Sequence, residues 1–250
     1  TLSATGTEMN AGGVLSKPET NEKYGMSSPI MLPKASFLNP ENTYSVNKFQ
    51  TAAGSADIMS HMIEQYFSLE SMELMDEITE GIMRTVIHNA PIAMDEPNNY
   101  EARANLMWAS TWALNGLINR GKSTGWSCHD MEHELSAFYD ITHGLGLAIL
   151  TPKWMHYVLS EENVYRFKRF ATKVFNIEDK GDDMLTAKAG IQALTDFFEL
   201  ELQLPGTLTA INIDEAHIPE MARKAVDNDK IYGLMTLDAG DVEAIYKMCL

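Results

Sequence analysis

The sequence predicts a mainly α-helical protein that opens with a short β segment. Three observations carry that reading. From Val46 onward, apolar residues recur every three or four positions over long stretches, the spacing that lines one face of an α-helix. The first 45 residues are instead rich in Gly, Pro, Ser, Thr and Asn, with only short apolar runs, the composition of strands and turns. The 250 residues are 45% hydrophobic and 22% charged, a mix able to bury a substantial core.

Taken in order, Gly13-Val14-Leu15 and Pro29-Ile30-Met31-Leu32 read as short strands between turn formers such as Lys17-Pro18-Glu19-Thr20-Asn21 and Leu38-Asn39-Pro40. Two short strands bury no core of their own, so residues 1–45 are expected to be the edge of a larger unit. In 46–70 the stripe is Ala52, Ala56, Met59, Ile63 and Phe67. In 72–94 it is Leu74, Ile78, Ile82 and Val86, and in 100–119 Ala104, Trp108, Trp112 and Leu117. Further helices are predicted over 127–138, 143–159, 161–175, 182–203, 214–228 and 238–249. Gly121 is expected to end the third helix, and Asp182 or Asp183 to cap the seventh. No segment repeats and none is low in complexity. The 16 methionines read as adaptable core filling.

Charge narrows the function. Against 35 Asp and Glu stand 19 Lys and Arg, a net charge of −16, which argues against a nucleic-acid or anionic-membrane surface. Cys128 and Cys249 are too few for a disulfide framework and fit a reducing cytoplasm. No apolar run approaches the roughly 20 residues of a membrane span, and no signal peptide is recognisable. The chain opens Thr1-Leu2-Ser3-Ala4-Thr5-Gly6-Thr7-Glu8 without an initiator Met, in mid-loop, so a piece of a longer protein is expected.

Histidine placement carries the chemistry. Asp57 and His61 stand four apart, on one face of a predicted helix, either as metal ligands or as a surface ion pair. His129, His133 and His143 fall within 15 residues, and neutral imidazole is the commonest metal ligand. Two metal chemistries follow. His129-Asp130-Met131-Glu132-His133 fits H-x-x-E-H, the inverted zinc-peptidase motif in which Glu activates water. That reading leaves Asp57, His61 and His143 without a role. Asp57, His61, His129 and His143 together offer one oxygen and three nitrogens, a set suited to Zn²⁺ or Fe²⁺. Such a site is a Lewis acid toward an alcohol or carbonyl oxygen. Hydride transfer is then feasible beside a nicotinamide, with His133 free to relay a proton. A non-catalytic metal-binding domain is a third reading.

The stretch Ala53-Gly54-Ser55-Ala56-Asp57-Ile58-Met59-Ser60-His61-Met62-Ile63-Glu64 resembles the first metal motif of the iron-containing (type III) alcohol dehydrogenases. Trp126 to Pro152, around HDMEHELSAFYDITHGLGLAILTP, resembles the second, with wording closest to the butanol dehydrogenase-like branch. Thr1 to Asn10 is similar to that family's cofactor loop, and Pro18 to Gly25 to its following hairpin. The resemblance covers the whole chain. It implies the helical C-terminal metal-binding domain of the dehydroquinate synthase-like fold over 46–250. Residues 1–45 would then be a remnant of the N-terminal dinucleotide-binding domain. It implies Fe²⁺ or Zn²⁺ on Asp57, His61, His129 and His143, and His133 as proton-relay residue. NAD(H) or NADP(H) would be contacted by Thr1, Leu2, Asn10, Lys23 and Thr43. The implied activity interconverts small primary alcohols and aldehydes, in a cytoplasmic homodimer. The family's Gly-rich phosphate turn is missing: Gly12-Gly13 and Gly144-Leu145-Gly146 lack the strand–glycine–helix context it requires. Poor cofactor binding by this chain alone is therefore expected.

Other residues read more plainly. Lys23 is either a solvated hairpin charge or a ribose contact. Cys128, next to His129, points elsewhere on the helix and reads as a buried neutral thiol. Gly144 reads as room for backbone beside the metal site. Trp126 and Tyr139 line a substrate pocket or pack the core. Glu132 and Glu134 belong to a solvated face, or orient a ligating imidazole from behind. His88, His156 and His217 have no ligand partner in sequence.

Overall fold

The residues before Asn47 build little regular structure. In the computed structural model, which describes residues 2–226 and 229–250, Gly12–Lys17 (β1) and Glu22–Ser27 (β2) pair antiparallel, with Gly12 opposite Ser27 and Lys17 opposite Glu22. Asn21 closes the turn at φ 49°. Both strands are largely exposed, and a lone hairpin is marginal in water, so it depends on its hold on the helices. Pro29-Ile30-Met31-Leu32 forms a single 3₁₀ turn over Pro29–Met31 rather than a strand. Pro29 has no N–H for a ladder.

Nine α-helices follow among the described residues. Lys48–Tyr66 (α1) starts where the Asn47 side chain accepts the Gln50 N–H, 2.8 Å away, one of the orphan donors of a helix start. Every residue from Thr51 to Tyr66 is buried, as in a helix enclosed by others. Among its buried polar groups, Gln65 donates to the His61 and Ala113 carbonyls at 2.7 and 2.8 Å. Packed on α1 are Glu73–Asp95 (α2), Tyr100–Leu114 (α3), Ser127–Tyr139 (α4) and His143–Val158 (α5). Val164–Val174 (α6), Asp183–Asp196 (α7), Ile218–Ala225 (α8) and Ala239–Met248 (α9) complete the bundle around one apolar core.

Two features fix the parts that carry the site. A Cβ on Gly144 would stand 2.0 Å from the Ala53 carbonyl oxygen, so only glycine lets the first turn of α5 lie on the α1 backbone. Behind α1, Asp76 receives Lys122 at 2.6 Å and Arg166 at 2.7 Å, all three side chains being buried. Lys122 belongs to the connection leading from α3 to α4, which is thereby pinned to α2 and α6.

Some boundaries differ from the sequence reading. The third helix ends at Leu114, not near Gly121. Gly116 already turns left-handed at φ 78°, and Gly121 does so again inside the connection. The seventh passes into a π-helix over Phe197–Glu201, which buries both Phe197 and Phe198. The eighth is confined to Ile218–Ala225, with Pro219 in its first turn, where a missing N–H costs nothing. Asp182 caps α7 by accepting the Leu185 N–H at 2.9 Å.

Candidate metal centre

Three helices converge on one carboxylate oxygen. Asp57 and His61 come from consecutive turns of α1, His129 from the first turn of α4, and His143 begins α5. Around Asp57 Oδ1 stand the Nε2 atoms of His61 at 3.3 Å, His129 at 3.6 Å and His143 at 3.9 Å. Asp57 and His129 are buried, yet Asp57 Oδ1 and His129 Nε2 have no hydrogen-bond partner among the described residues. Buried polar atoms are almost always satisfied. Orphans that face each other among two more imidazoles fit a cation, and one carboxylate with imidazoles suits Zn²⁺ or Fe²⁺. Asp57, His129 and His143 place ligand atoms within 4.8 Å of one another. His61 stacks on His129, with centroids 4.5 Å apart, and brings its Nε2 to the same oxygen.

Behind two of these rings stand buried carboxylates. Glu64, one turn beyond His61 on α1, pairs through Oε2 with His129 Nδ1 and accepts the Cys128 backbone N–H through Oε1 at 2.5 Å. Glu132 on α4 pairs through Oε2 with His143 Nδ1 and accepts from the Ser136 hydroxyl. A carboxylate on Nδ1 assigns the proton to that nitrogen and leaves the Nε2 lone pair for the ion.

Burial by itself would raise the Asp57 carboxyl, but the imidazoles, His61 foremost, outweigh it and hold it at about 2. Burial, then the neighbouring His129 and His143, depress His61 to about 3. For His129 burial acts downward, but Glu64 and Asp57 carry it up to about 10, so an ion at its Nε2 would displace a proton. Burial followed by the Lys23 charge lowers His133 to about 3, which leaves it neutral.

His133 lies outside the Asp57 group, its ring 5.7 Å from that of His143 and within reach of Glu132. The two histidines of the H-x-x-E-H motif therefore face different clusters. Lys23 is no solvated charge: its Nζ lies 3.2 Å from Glu132 Oε2 and 3.5 Å from His143 Nδ1. Leu2 packs over Gly54 and lines, with Ser3, Thr7, Asn39 and Asn42, a cleft of about 330 Å³. Asn10 is spent inside its loop, donating to the Thr5 carbonyl at 2.7 Å and accepting from the Gly12 N–H at 3.0 Å. Thr43 is buried and donates to the Pro40 carbonyl at 2.6 Å. Thr1 lies outside the described residues. Trp126 stands edge-on to His129 and His61, at 5.2 and 5.9 Å. Tyr139 instead meets His217 at 5.9 Å. Burial pushes the Cys128 thiol up and keeps it neutral. Glu64 had no role in the sequence reading, although Asp57, His61 and Glu64 share one helical face by their spacing.

Fold and site together define a helical domain with a three-histidine, one-aspartate candidate metal centre. The pattern "Fe-containing alcohol dehydrogenase family, C-terminal" matches residues 51–250, and the chain belongs to that family. It is 48% identical over 250 residues to NADH-dependent butanol dehydrogenase A of Clostridium acetobutylicum, covering 99% of this chain and 64% of that protein. It is 37% identical over 227 residues to an NADPH-dependent aldehyde reductase of Escherichia coli, covering 90% of this chain and 57% of the relative. The crystal structure of NADH-dependent butanol dehydrogenase A from Thermotoga maritima superposes with a TM-score of 0.93 at 38% identity, over all of this chain and 64% of that one. The chain thus spans less than two thirds of the length of these relatives.

Proposed function

We propose that this chain is the metal-binding portion of an NAD(P)-dependent alcohol dehydrogenase that interconverts small primary alcohols and aldehydes. The observation that carries the reading is the convergence of His61, His129 and His143 on the orphaned Asp57 Oδ1. Asp57, His61, His129 and His143 would hold Fe²⁺ or Zn²⁺. An ion held there would supply Lewis acidity toward a substrate oxygen. Glu64 and Glu132 keep the proton on the outer nitrogens of His129 and His143. His133, neutral and half-buried like His143, is the group to move the substrate hydroxyl proton outward.

For the nicotinamide side, residues 1–45 read as the last strands and cofactor loop of a dinucleotide-binding domain, and 46–250 as the catalytic domain. Leu2 would contact the cofactor directly at its cleft, and Lys23 its ribose. Asn10 and Thr43 would act by shaping the loop, since their polar groups are engaged within it. Thr1 is proposed as a further cofactor contact. NADH and NADPH dependence in the relatives' names supports either nucleotide. A homodimer in the cytoplasm is the proposed setting, and no described helix is long and apolar enough to cross a membrane. The peptidase reading weakens because Glu132 is engaged behind His143 rather than free to activate water. A purely metal-binding role stays distinguishable by assay.

The test is metal content by elemental analysis on the parent chain, Asp57→Ala and His143→Ala, with aldehyde-dependent NAD(P)H oxidation by the longer protein. About one Fe or Zn per chain, lost in both variants, with reductase activity, supports the proposal. Metal retained in both variants rejects the ligand set. Metal without any nicotinamide-linked activity leaves a binding domain.

A further inference from the structure

Glu132 serves more than one master. Its side chain is fully buried on α4, pairs with His143 Nδ1, accepts from Ser136, and receives Lys23 from β2 at 3.2 Å. Position 146 leaves room for it: a Cβ on Gly146 would stand 2.7 Å from Glu132 Cγ and 2.9 Å from Oε1. The hairpin has a second fastening close by. Lys224 of α8 donates to the Asn21 carbonyl at the turn and pairs with Glu134 of α4 at 3.5 Å. The other side chains of the hairpin are mostly exposed.

We propose that Glu132 is a positioning residue that links the N-terminal hairpin to the metal centre, orienting His143 with one face of its carboxylate and clasping Lys23 beside it. The link rests on the metal reading above, and it makes a further claim. An ion on His143 Nε2 fixes that ring, which fixes Glu132, which presents a settled acceptor to Lys23. By reciprocity, whatever orders the hairpin through Glu132 favours the ion, and the ion orders the hairpin.

The experiment uses Zn²⁺ as probe with the parent, Glu132→Gln, Gly146→Ala and Lys23→Met. Zn²⁺ affinity is read by chelator competition, ligand geometry by Co²⁺ absorption, and hairpin order by hydrogen exchange of residues 12–27 with and without Zn²⁺. Far-UV circular dichroism checks folding. In the parent, Zn²⁺ slows hairpin exchange. In Glu132→Gln and Gly146→Ala, affinity falls about tenfold or more, the cost of removing a partner that orients a ligand, and the Co²⁺ band shifts. The hairpin then exchanges faster and no longer responds to Zn²⁺. Lys23→Met loosens the hairpin but keeps the Co²⁺ band, since His143 retains its carboxylate. A merely structural glutamate would change stability without moving the Co²⁺ band.

Parental affinity and spectrum in Glu132→Gln overturn the positioning role. A hairpin indifferent to both Zn²⁺ and Lys23→Met overturns the link. A parent that binds neither Zn²⁺ nor Co²⁺ defeats the metal reading and the link with it. Parental metal binding with an unresponsive hairpin defeats the link alone.

Discussion

Asp57 is kept ionised by its neighbours rather than by water, and two of the imidazoles around it, His129 and His143, have a carboxylate behind them. Glu64 is the clearest case. It fixes His129 Nδ1 and the first turn of α4 at once. Glu64→Ala is therefore expected to weaken Zn²⁺ binding about 10- to 100-fold, measured by chelator competition. Unchanged affinity would mean that His129 needs no outer partner. Asp76 shows the same dependence away from the site. Burial opposes its ionisation, but Arg166 and Lys122 prevail and hold its carboxyl below the ordinary range. A depressed folded value means the stabilisation is present above the unfolded pKa of about 3.9 and is lost as pH falls through the folded value. Asp76→Asn leaves two buried cations short of their counter-charge and is expected to cost about 3–5 kcal/mol at neutral pH. Urea unfolding from pH 7 down to 3 checks this. The gap between parent and variant should narrow as the pH drops, and a constant gap would contradict the assignment.

At the scale of elements, the site exists because α5 begins in contact with α1. Gly144→Ala drives a methyl group into the Ala53 carbonyl, and overpacking of this kind costs about 1–3 kcal/mol or more. The expected result is a lowered urea midpoint together with weaker Zn²⁺ binding, because His143 is the preceding residue. Gly25→Ala, whose added Cβ meets nothing within 4 Å, is the control and should keep Zn²⁺ affinity. Loss of stability with parental metal binding would show that His143 is placed by other contacts. The sequence made much of this visible. Helical spacing located each of the nine helices, since apolar stripes are set by burial against a common core. It lost Pro29–Met31, where an apolar run beside a proline mimics a strand, and it ran α3 past Asn115 because Leu117 and Ile118 continue the apolar pattern without helical backbone. The four expected ligands were legible from spacing and resemblance, and they do meet at Asp57. Glu64 was not, because a buried carboxylate one turn beyond His61 signals its partner only once α4 is packed against it. Lys23 likewise became legible only in three dimensions, 109 residues away from Glu132.

For the whole molecule, the candidate ligands come from α1 on one side and α4 and α5 on the other, with residues 67–126 of the chain between α1 and α4. An ion bound there closes long loops, and its binding free energy adds to the stability of the fold rather than of one element. Zn²⁺ at about 100 times its dissociation constant contributes about 2.7 kcal/mol. For a chain of this size each kcal/mol moves Tm by about 2–4 °C, so a rise of about 5–11 °C is expected in calorimetry. The same addition to Asp57→Ala should produce almost none, because three imidazoles without the carboxylate keep neither the charge nor the shared oxygen. The acidic balance makes that variant the necessary comparison. With 35 Asp and Glu against 19 Lys and Arg, diffuse cation binding at the surface can also stabilise the fold. That effect would raise parent and variant equally and fade with added salt. A Tm increase confined to the parent and insensitive to salt locates the ion among Asp57, His61, His129 and His143; an equal increase in both places it on the acidic surface.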